Sequence, residues 1–168
     1  EAGLDLDALA HLREHAAEVQ LPFLRARNPS VHIAVVCVAG LTGAECVRVG
    51  EAVARALSTG PETLLVASTD LSHYVPARIA RELDHAALER VQALDPEGLC
   101  ELVETKDLSM CGYLPTAIVL AACRARGATV HAYAVDVVNR PAMKELAADF
   151  LGKAGAVDLV IANAGLGQ

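Results

Sequence analysis

Residues 63–74, TLLVASTDLSHY, constrain the fold of this chain more than any other stretch. The run 63–67 is apolar and has the composition of a parallel strand that is buried on both faces, so it predicts such a strand. Open α/β sheets place their chemistry in the loops at the carboxyl ends of their strands. We therefore expect the polar residues that follow, Asp70 and His73 among them, to lie in a functional loop.

The spacing of Asp70 and His73 allows two interpretations. A carboxylate three residues before a histidine, just past a buried strand, is typical of an acid/base pair or of the ligands around a metal. Alternatively, Asp70 caps the helix that follows and His73 is an ordinary loop residue. Spacing alone leaves both interpretations open.

The rest of the chain alternates between strand and helix patterns. Strands are predicted from Val31 to the glycine at position 40, over 129–135 and over 157–162, in addition to the central run. Helices are predicted over 43–57 after a Thr42 cap, over 77–94, after the Asp95–Pro96 pair, over 116–123 and over 140–154. This alternation predicts an α/β fold with a mainly parallel sheet and helices on both faces, which is a three-layer αβα architecture.

The amino-terminal segment shows a weaker helical pattern. Leu9, Leu12, Ala16 and Val19 recur at helical spacing, and Pro22 is expected to end that helix. Glu14 and His15 are adjacent within it and cannot share one helix face, so solvation of both is the simple interpretation.

Composition limits the class of function. The 168 residues suffice for one domain, and 54% of them are hydrophobic, which argues against disorder. The net charge of −7 disfavours nucleic acid or an anionic membrane as the main partner. We see no membrane-length apolar run and no signal peptide. The five cysteines have no CxxC spacing, so we expect reduced thiols and a cytoplasmic location.

Cys111 stands apart from the other cysteines. It precedes Gly112 and an apolar helix that Pro115 opens, a place that suits a metal ligand. The alternative is that Cys111 is simply a small buried apolar residue.

Four ordered motifs resemble the MEMO family, the AmmeMemoRadiSam system protein B group, over residues 13–127. They are EHAAEVQLP from Glu14, STDLSH from Ser68, the Leu94-Asp95-Pro96 segment, and Cys111-Gly112 followed by Pro115. The family fold is similar to class III extradiol dioxygenases, which open catechol rings at a non-haem iron.

The resemblance implies a role for several residues. Cys111 would be the metal-ligating thiolate, His73 the pocket histidine, and Asp70 and His15 would line the same pocket, with iron or copper as the metal and a small molecule as ligand. The family's two other metal ligands are histidines from an amino-terminal half, including a Pro-His-Ala-Gly motif, that does not occur in this sequence. We therefore expect a degenerate metal site.

Residues 124–167 resemble a short-chain dehydrogenase/reductase. Asp136-Val137 matches a motif that contacts adenine, and Asn163-Ala164-Gly165 matches a stretch beside the cofactor. A glycine-rich pyrophosphate turn and the catalytic Ser, Tyr and Lys are missing, so NAD(P) chemistry is not expected.

The two resemblances together predict a MEMO-like partial domain over 1–127 and a dehydrogenase-like βαβ segment over 128–168, packed on the same sheet. A joint sheet would bury the apolar faces of both pieces. If that sheet does not form, exposed strand edges would favour association of the chain, for example as a homo-oligomer.

Overall fold

A computed structural model describes residues 7–59, 63–131, 133, 135, 138–154 and 159–162. In chain order the elements are α1 (Ala8–His11), a 3-10 turn (Glu18–Gln20), α2 (Leu21–Arg27), α3 (Gly43–Leu57), β1 (Leu65–Ser68), α4 (Ala77–Gln92), α5 (Pro96–Lys106), α6 (Tyr113–Ala125), α7 (Arg140–Ala154) and β2 (Leu159–Ala162).

Helix α6 is the centre of the described structure. Nine of its 13 residues are buried, and it contacts α3, α5 and β1. Its run of aliphatic and small residues predicts a helix that is apolar all round, and such a helix is stable only inside a core. At Gly50 of α3 the two helices approach so closely that a Cβ atom would collide with the backbone of α6 at Ile118.

The helices around α6 begin where their capping residues predict. Thr42 and Glu45 form a reciprocal capping box at the start of α3, and the bounds of α3 are those expected from the sequence. Asp95 accepts a hydrogen bond from the Gly98 N–H, and Pro96 is the first residue of α5.

Two strands form a small parallel sheet. β1 pairs in register with β2, Leu65 opposite Leu159 and Ser68 opposite Ala162. Leu65 and Ala67 of β1 face α6, where they pack near Val119. The parallel pairing agrees with the α/β prediction.

The predicted three-layer αβα architecture does not appear in the described residues. Their sheet has two strands. The β-branched run 31–39 forms no ladder, and the described positions of 129–135 are not in a strand. A strand pattern in the sequence reflects the preference of apolar and β-branched residues for strands. The N–H and C=O groups of a strand must also form hydrogen bonds with a neighbouring strand. The described chain offers these two runs no such neighbour.

The prediction for the amino-terminal segment was also wrong in its bounds. A single helix ending at Pro22 is replaced by α1, the 3-10 turn and α2. Pro22 lies in the first turn of α2, where its missing N–H costs nothing, so it starts a helix rather than ending one. None of these three elements contains a buried residue.

The longest described helix has 16 residues, fewer than the roughly 20 that a bilayer requires. The part of the chain that the structure describes therefore contains no candidate membrane span.

Candidate metal centre

The turn before α6 packs directly on the end of β1. The Gly112 N–H donates to the Thr69 hydroxyl at 3.0 Å, and the Cys111 N–H donates to the Asp70 carbonyl at 3.3 Å. A Cβ atom at position 112 would collide with the Ser68 carbonyl oxygen, so only glycine permits this approach. The turn thereby places the Cys111 sulfur beside the loop that carries Asp70.

A backbone donor points at this sulfur. The Asp70 N–H donates to Cys111 Sγ at 3.1 Å, and the Thr69 hydroxyl lies 4.0 Å from the same atom. This hydrogen bond ties the Cys111 sulfur to the backbone of the loop that carries Asp70.

Ser109 holds His73 in one orientation. The Ser109 hydroxyl accepts from the His73 backbone N–H at 2.6 Å and donates to the His73 carbonyl at 3.1 Å. The imidazole Nδ1 lies 2.6 Å from the Ser109 carbonyl oxygen. A carbonyl only accepts, so we assign the proton to Nδ1, and the lone pair of Nε2 is then available.

Asp84 of α4 secures the loop between Asp70 and His73. Its Oδ1 accepts from the Ser72 backbone N–H at 3.0 Å and from the Ser72 hydroxyl at 2.6 Å. Leu71, next to Ser72, is buried in the core cluster with Leu99. The loop is therefore held in place by the packing of Leu71 and by the two hydrogen bonds from Ser72 to the Asp84 carboxylate.

Asp70, His73 and Cys111 converge. One ligand atom from each lies within 4.8 Å of the others, and the Asp70 carboxylate is 3.7 Å from His73 Nε2. Their donor atoms are a sulfur, a nitrogen and an oxygen. Three protein ligands with an open side are the usual arrangement of a catalytic metal site, in contrast to a closed structural one.

The site is an open surface cluster. The side chains of Asp70 and His73 are 57% and 32% exposed, and Cys111 is exposed too. A groove of about 390 Å³ lies elsewhere, near the carboxyl ends of α3 and α6, and its lining includes Arg55 and Arg126. That groove has no part in the cluster.

These positions decide two of the alternatives that the sequence left open. Asp70 does not cap the following helix, because α4 begins after Pro76, which offers no side-chain cap. Cys111 is exposed, so it is not a small buried core residue.

The structure places the other predicted site residues as follows. His15 is exposed and lies outside the three-residue group, although the neighbouring Ala16 carbonyl accepts a hydrogen bond from the Ser68 hydroxyl at 3.3 Å. A pocket role for His15 stays a prediction. The residues assigned to a dinucleotide all lie outside the described part of the chain: Asp136, Val137, Asn163, Ala164 and Gly165.

Sequence reasoning missed Ser109 and Asp84. Ser109 is 36 residues from His73, and Asp84 sits on a helix whose pattern predicts only a solvated polar face. Ser109 stands two residues before Cys111, so its nearness to a candidate ligand was the one available signal.

Comparison with known proteins gives a family match over most of the chain. The model of the family described as "Memo-like protein" matches residues 1–144. This match continues past the predicted junction near residue 127 and includes Asp136 and Val137. These findings lend no support to the resemblance to a short-chain dehydrogenase.

Several curated relatives are similar to the chain. MEMO1 family protein MK0963 of Methanopyrus kandleri is 41% identical over 128 residues, which are 75% of this chain and 45% of that protein. MEMO1 family protein Mbar_A1422 of Methanosarcina barkeri is 36% identical over 75% of this chain and 48% of its own length. A MEMO1 family protein of Thermotoga maritima is 36% identical over 64% of this chain and 39% of its own length.

The chain thus spans about half the length, or less, of the curated relatives that it matches. The search of solved structures gives no significant match.

Proposed function

The chain belongs to the Memo-like protein family, and from this premise we propose that it binds one transition-metal ion through Asp70, His73 and Cys111. The observation that carries the proposal is the convergence of three different donor atoms within 4.8 Å of one another. Two of the three side chains are held there by hydrogen bonds to groups that do not themselves act as ligands.

The donor set supports iron or copper as the metal. A thiolate is a soft ligand that suits Cu(I), an imidazole suits both copper and iron, and a carboxylate favours the harder Fe(II). The residues fit such an ion in chemistry and in number, since Cys111 would supply sulfur, His73 its free Nε2 and Asp70 one carboxylate oxygen.

The open side of the cluster supports binding of a small molecule beside the ion. A pocket related to that of the non-haem iron dioxygenases is the finer form of this proposal. In that form, an ion held by Asp70, His73 and Cys111 would polarise the bound ligand. With three protein ligands and an exposed position, we expect weak affinity compared with a closed four-ligand site.

Calorimetric titration with Cu(I) and Fe(II) under anaerobic conditions tests the proposal. We expect one ion per chain, and we expect Cys111→Ala to weaken binding by about 100-fold or more, because loss of an outer hydrogen-bond partner alone costs about 10- to 100-fold. Cys37→Ala is the matched control, since Cys37 is also a free and partly accessible thiol. Equal affinity of the wild-type protein and Cys111→Ala would remove the metal site.

Substitution of Ser109 separates positioning from ligation. Ser109→Ala removes the hydroxyl that holds the His73 backbone but keeps the carbonyl that receives the ring N–H. We expect affinity to fall by about 10-fold, less than for Cys111→Ala. An unchanged affinity would mean that the Ser109 hydroxyl does not position the ligand.

A further inference from the structure

Cys37 and His11 form a second pair of chemically reactive side chains. The Cys37 sulfur lies 3.2 Å from Nδ1 of the His11 imidazole, although the two residues are 26 positions apart in the sequence. In the tautomer that carries its proton on Nε2, the Nδ1 atom accepts a hydrogen bond from the thiol. A thiol in contact with an imidazole nitrogen is the arrangement in which a neighbouring base activates a sulfur nucleophile. Neither residue belongs to the three-residue group of the candidate metal centre.

Local hydrogen bonds hold the backbone that carries His11. The Asp7 carboxylate accepts from the Leu9 N–H at 2.9 Å and caps α1, whose last residue is His11. The His11 carbonyl accepts from the Glu14 N–H at 3.3 Å in the turn that follows. The imidazole is therefore attached to a backbone that is hydrogen-bonded on both sides of it.

Packing on the core holds the run that carries Cys37. Val38, the next residue, packs against the buried cluster that includes Cys46 and Leu114, and Leu41 packs against the same cluster. The side chain of Cys37 lies beside this anchored residue and is half-buried. The contact between the sulfur and the imidazole therefore joins two segments that only the fold brings together.

Exposure separates Cys37 from most of the other thiols. Cys37 is partly exposed and His11 is exposed, so a small molecule in solution can reach the pair. Cys111 is the other accessible thiol, and it belongs to the candidate metal centre. The remaining three are at most 6% exposed, and a molecule from solution reaches their sulfurs only if the core opens: Cys46, Cys100 and Cys123.

We propose that Cys37 is a site of mixed-disulfide formation with low-molecular-weight disulfides, and that His11 is the base that takes up the thiol proton. The Cys37 sulfur attacks one sulfur of the small disulfide, whose S–S bond breaks as the new S–S bond forms. The Cys37 sulfur is oxidised, and the leaving sulfur takes the electron pair and is reduced. His11 accepts the proton of Cys37 and passes it to the departing thiolate, so the products are a mixed disulfide and one small thiol.

The rate of reaction with the disulfide of mercaptoethanol tests this proposal. The probe is neutral, so the net charge of −7 on the chain does not affect its approach. The full chain is reduced, freed of metal by a chelator and mixed with the probe at neutral pH. Tandem mass spectrometry of its peptides then measures the modified fraction of each cysteine over time.

We expect a mixed disulfide at Cys37 well before any forms at the three buried cysteines. His11→Asn should slow the reaction at Cys37 by at least about 10-fold. Asparagine keeps a polar atom near the position of Nδ1 but is not a base, so the variant removes the chemistry of the imidazole more than its hydrogen bond.

Two controls separate the chemistry of His11 from a change in structure. His32→Asn alters an exposed histidine that is near Cys37 in the sequence, and it should leave the rate at Cys37 unchanged. The rate at Cys111, measured in the same molecules, should be equal in the wild-type protein and in His11→Asn. Circular dichroism checks that each variant folds, and if His11→Asn unfolds, His11→Gln decides.

Either of two results would overturn the proposal. One is a rate at Cys37 that substitution of His11 leaves unchanged or increases, since the imidazole would then not act as the base. The other is a chain in which Cys111 reacts and Cys37 does not, since the contact with His11 would then confer no reactivity. The reaction is followed without metal, so its outcome is independent of the Cys111→Ala titration.

Discussion

The two faces of β1 show how unevenly this chain is packed. On one face, α6 and the helices around it bury residues such as Leu99 and Leu120 almost completely. On the other, Leu64 and Val66 lie open, and the elements from α1 to α2 contain no buried residue. A helix satisfies its own backbone and needs only an apolar surface to pack on, whereas a strand also needs a partner for its backbone. In the part of the chain that the structure describes, the helical side is therefore covered and the outer face of β1 is not.

The largest expected effect comes from opening a cavity on the packed side. Leu99→Ala should lower the free energy of unfolding by about 3 kcal/mol, because Leu99 is fully buried in the core cluster. Phe23→Ala is the counterpart on the open side, where the ring is 71% exposed, and it should cost less than about 0.5 kcal/mol. Urea unfolding measures both. A similar loss of unfolding free energy in Leu99→Ala and Phe23→Ala would contradict the difference in packing between the two regions.

A smaller effect is expected from adding one methyl group between α3 and α6. Gly50→Ala should destabilise by about 2 kcal/mol, because its Cβ would press on Ala121 and on the α6 backbone. Gly152→Ala on α7 meets open space and should stabilise by up to about 1 kcal/mol through helix propensity. Thermal unfolding of the two variants gives the comparison. A gain in stability for Gly50→Ala would mean that the helices are not in close contact.

The smallest effect concerns pH. Burial beside Cys46 raises the pKa of Cys100 to about 12, from an ordinary value of 9.0. Between these values the unfolded thiol has released its proton while the folded one keeps it. Stability is therefore unaffected below about pH 9 and falls as the pH rises towards 12, on the order of 1 kcal/mol per pH unit.

Denaturant titrations at pH 8 and pH 10 measure this loss, and Cys100→Ala should reduce it. Cys37→Ala is the control, since this thiol is only partly buried. An equal alkaline loss in all three proteins would show that the fall has another origin.

Part of the candidate site was predictable from the sequence, and part depends on the tertiary fold. Asp70 and His73 are close in sequence, so their shared loop was predictable, and the family motifs pointed to Cys111. The hydrogen bonds between Ser109 and His73 were not predictable from the sequence. Ser109 lies 36 residues from His73 and comes near it only because α4 and α5 fold the chain back on the core. The role of Asp84 was not predictable either, because its carboxylate accepts from Ser72 only where the fold places α4 beside the loop.

The sequence by itself determined the helices α3 to α7 and the presence of strand β1, since caps and apolar patterns act over a few neighbouring residues. The predicted strand began at Thr63, whereas β1 begins at Leu65. The sequence did not determine which apolar runs become strands, since residues 65–68 form a strand and the run 31–39 does not. Only the tertiary structure decided that, by giving β1 a parallel partner and a helix to cover one face. It also decided the meeting of Asp70, His73 and Cys111, because Gly112 alone permits the turn to approach the end of the strand.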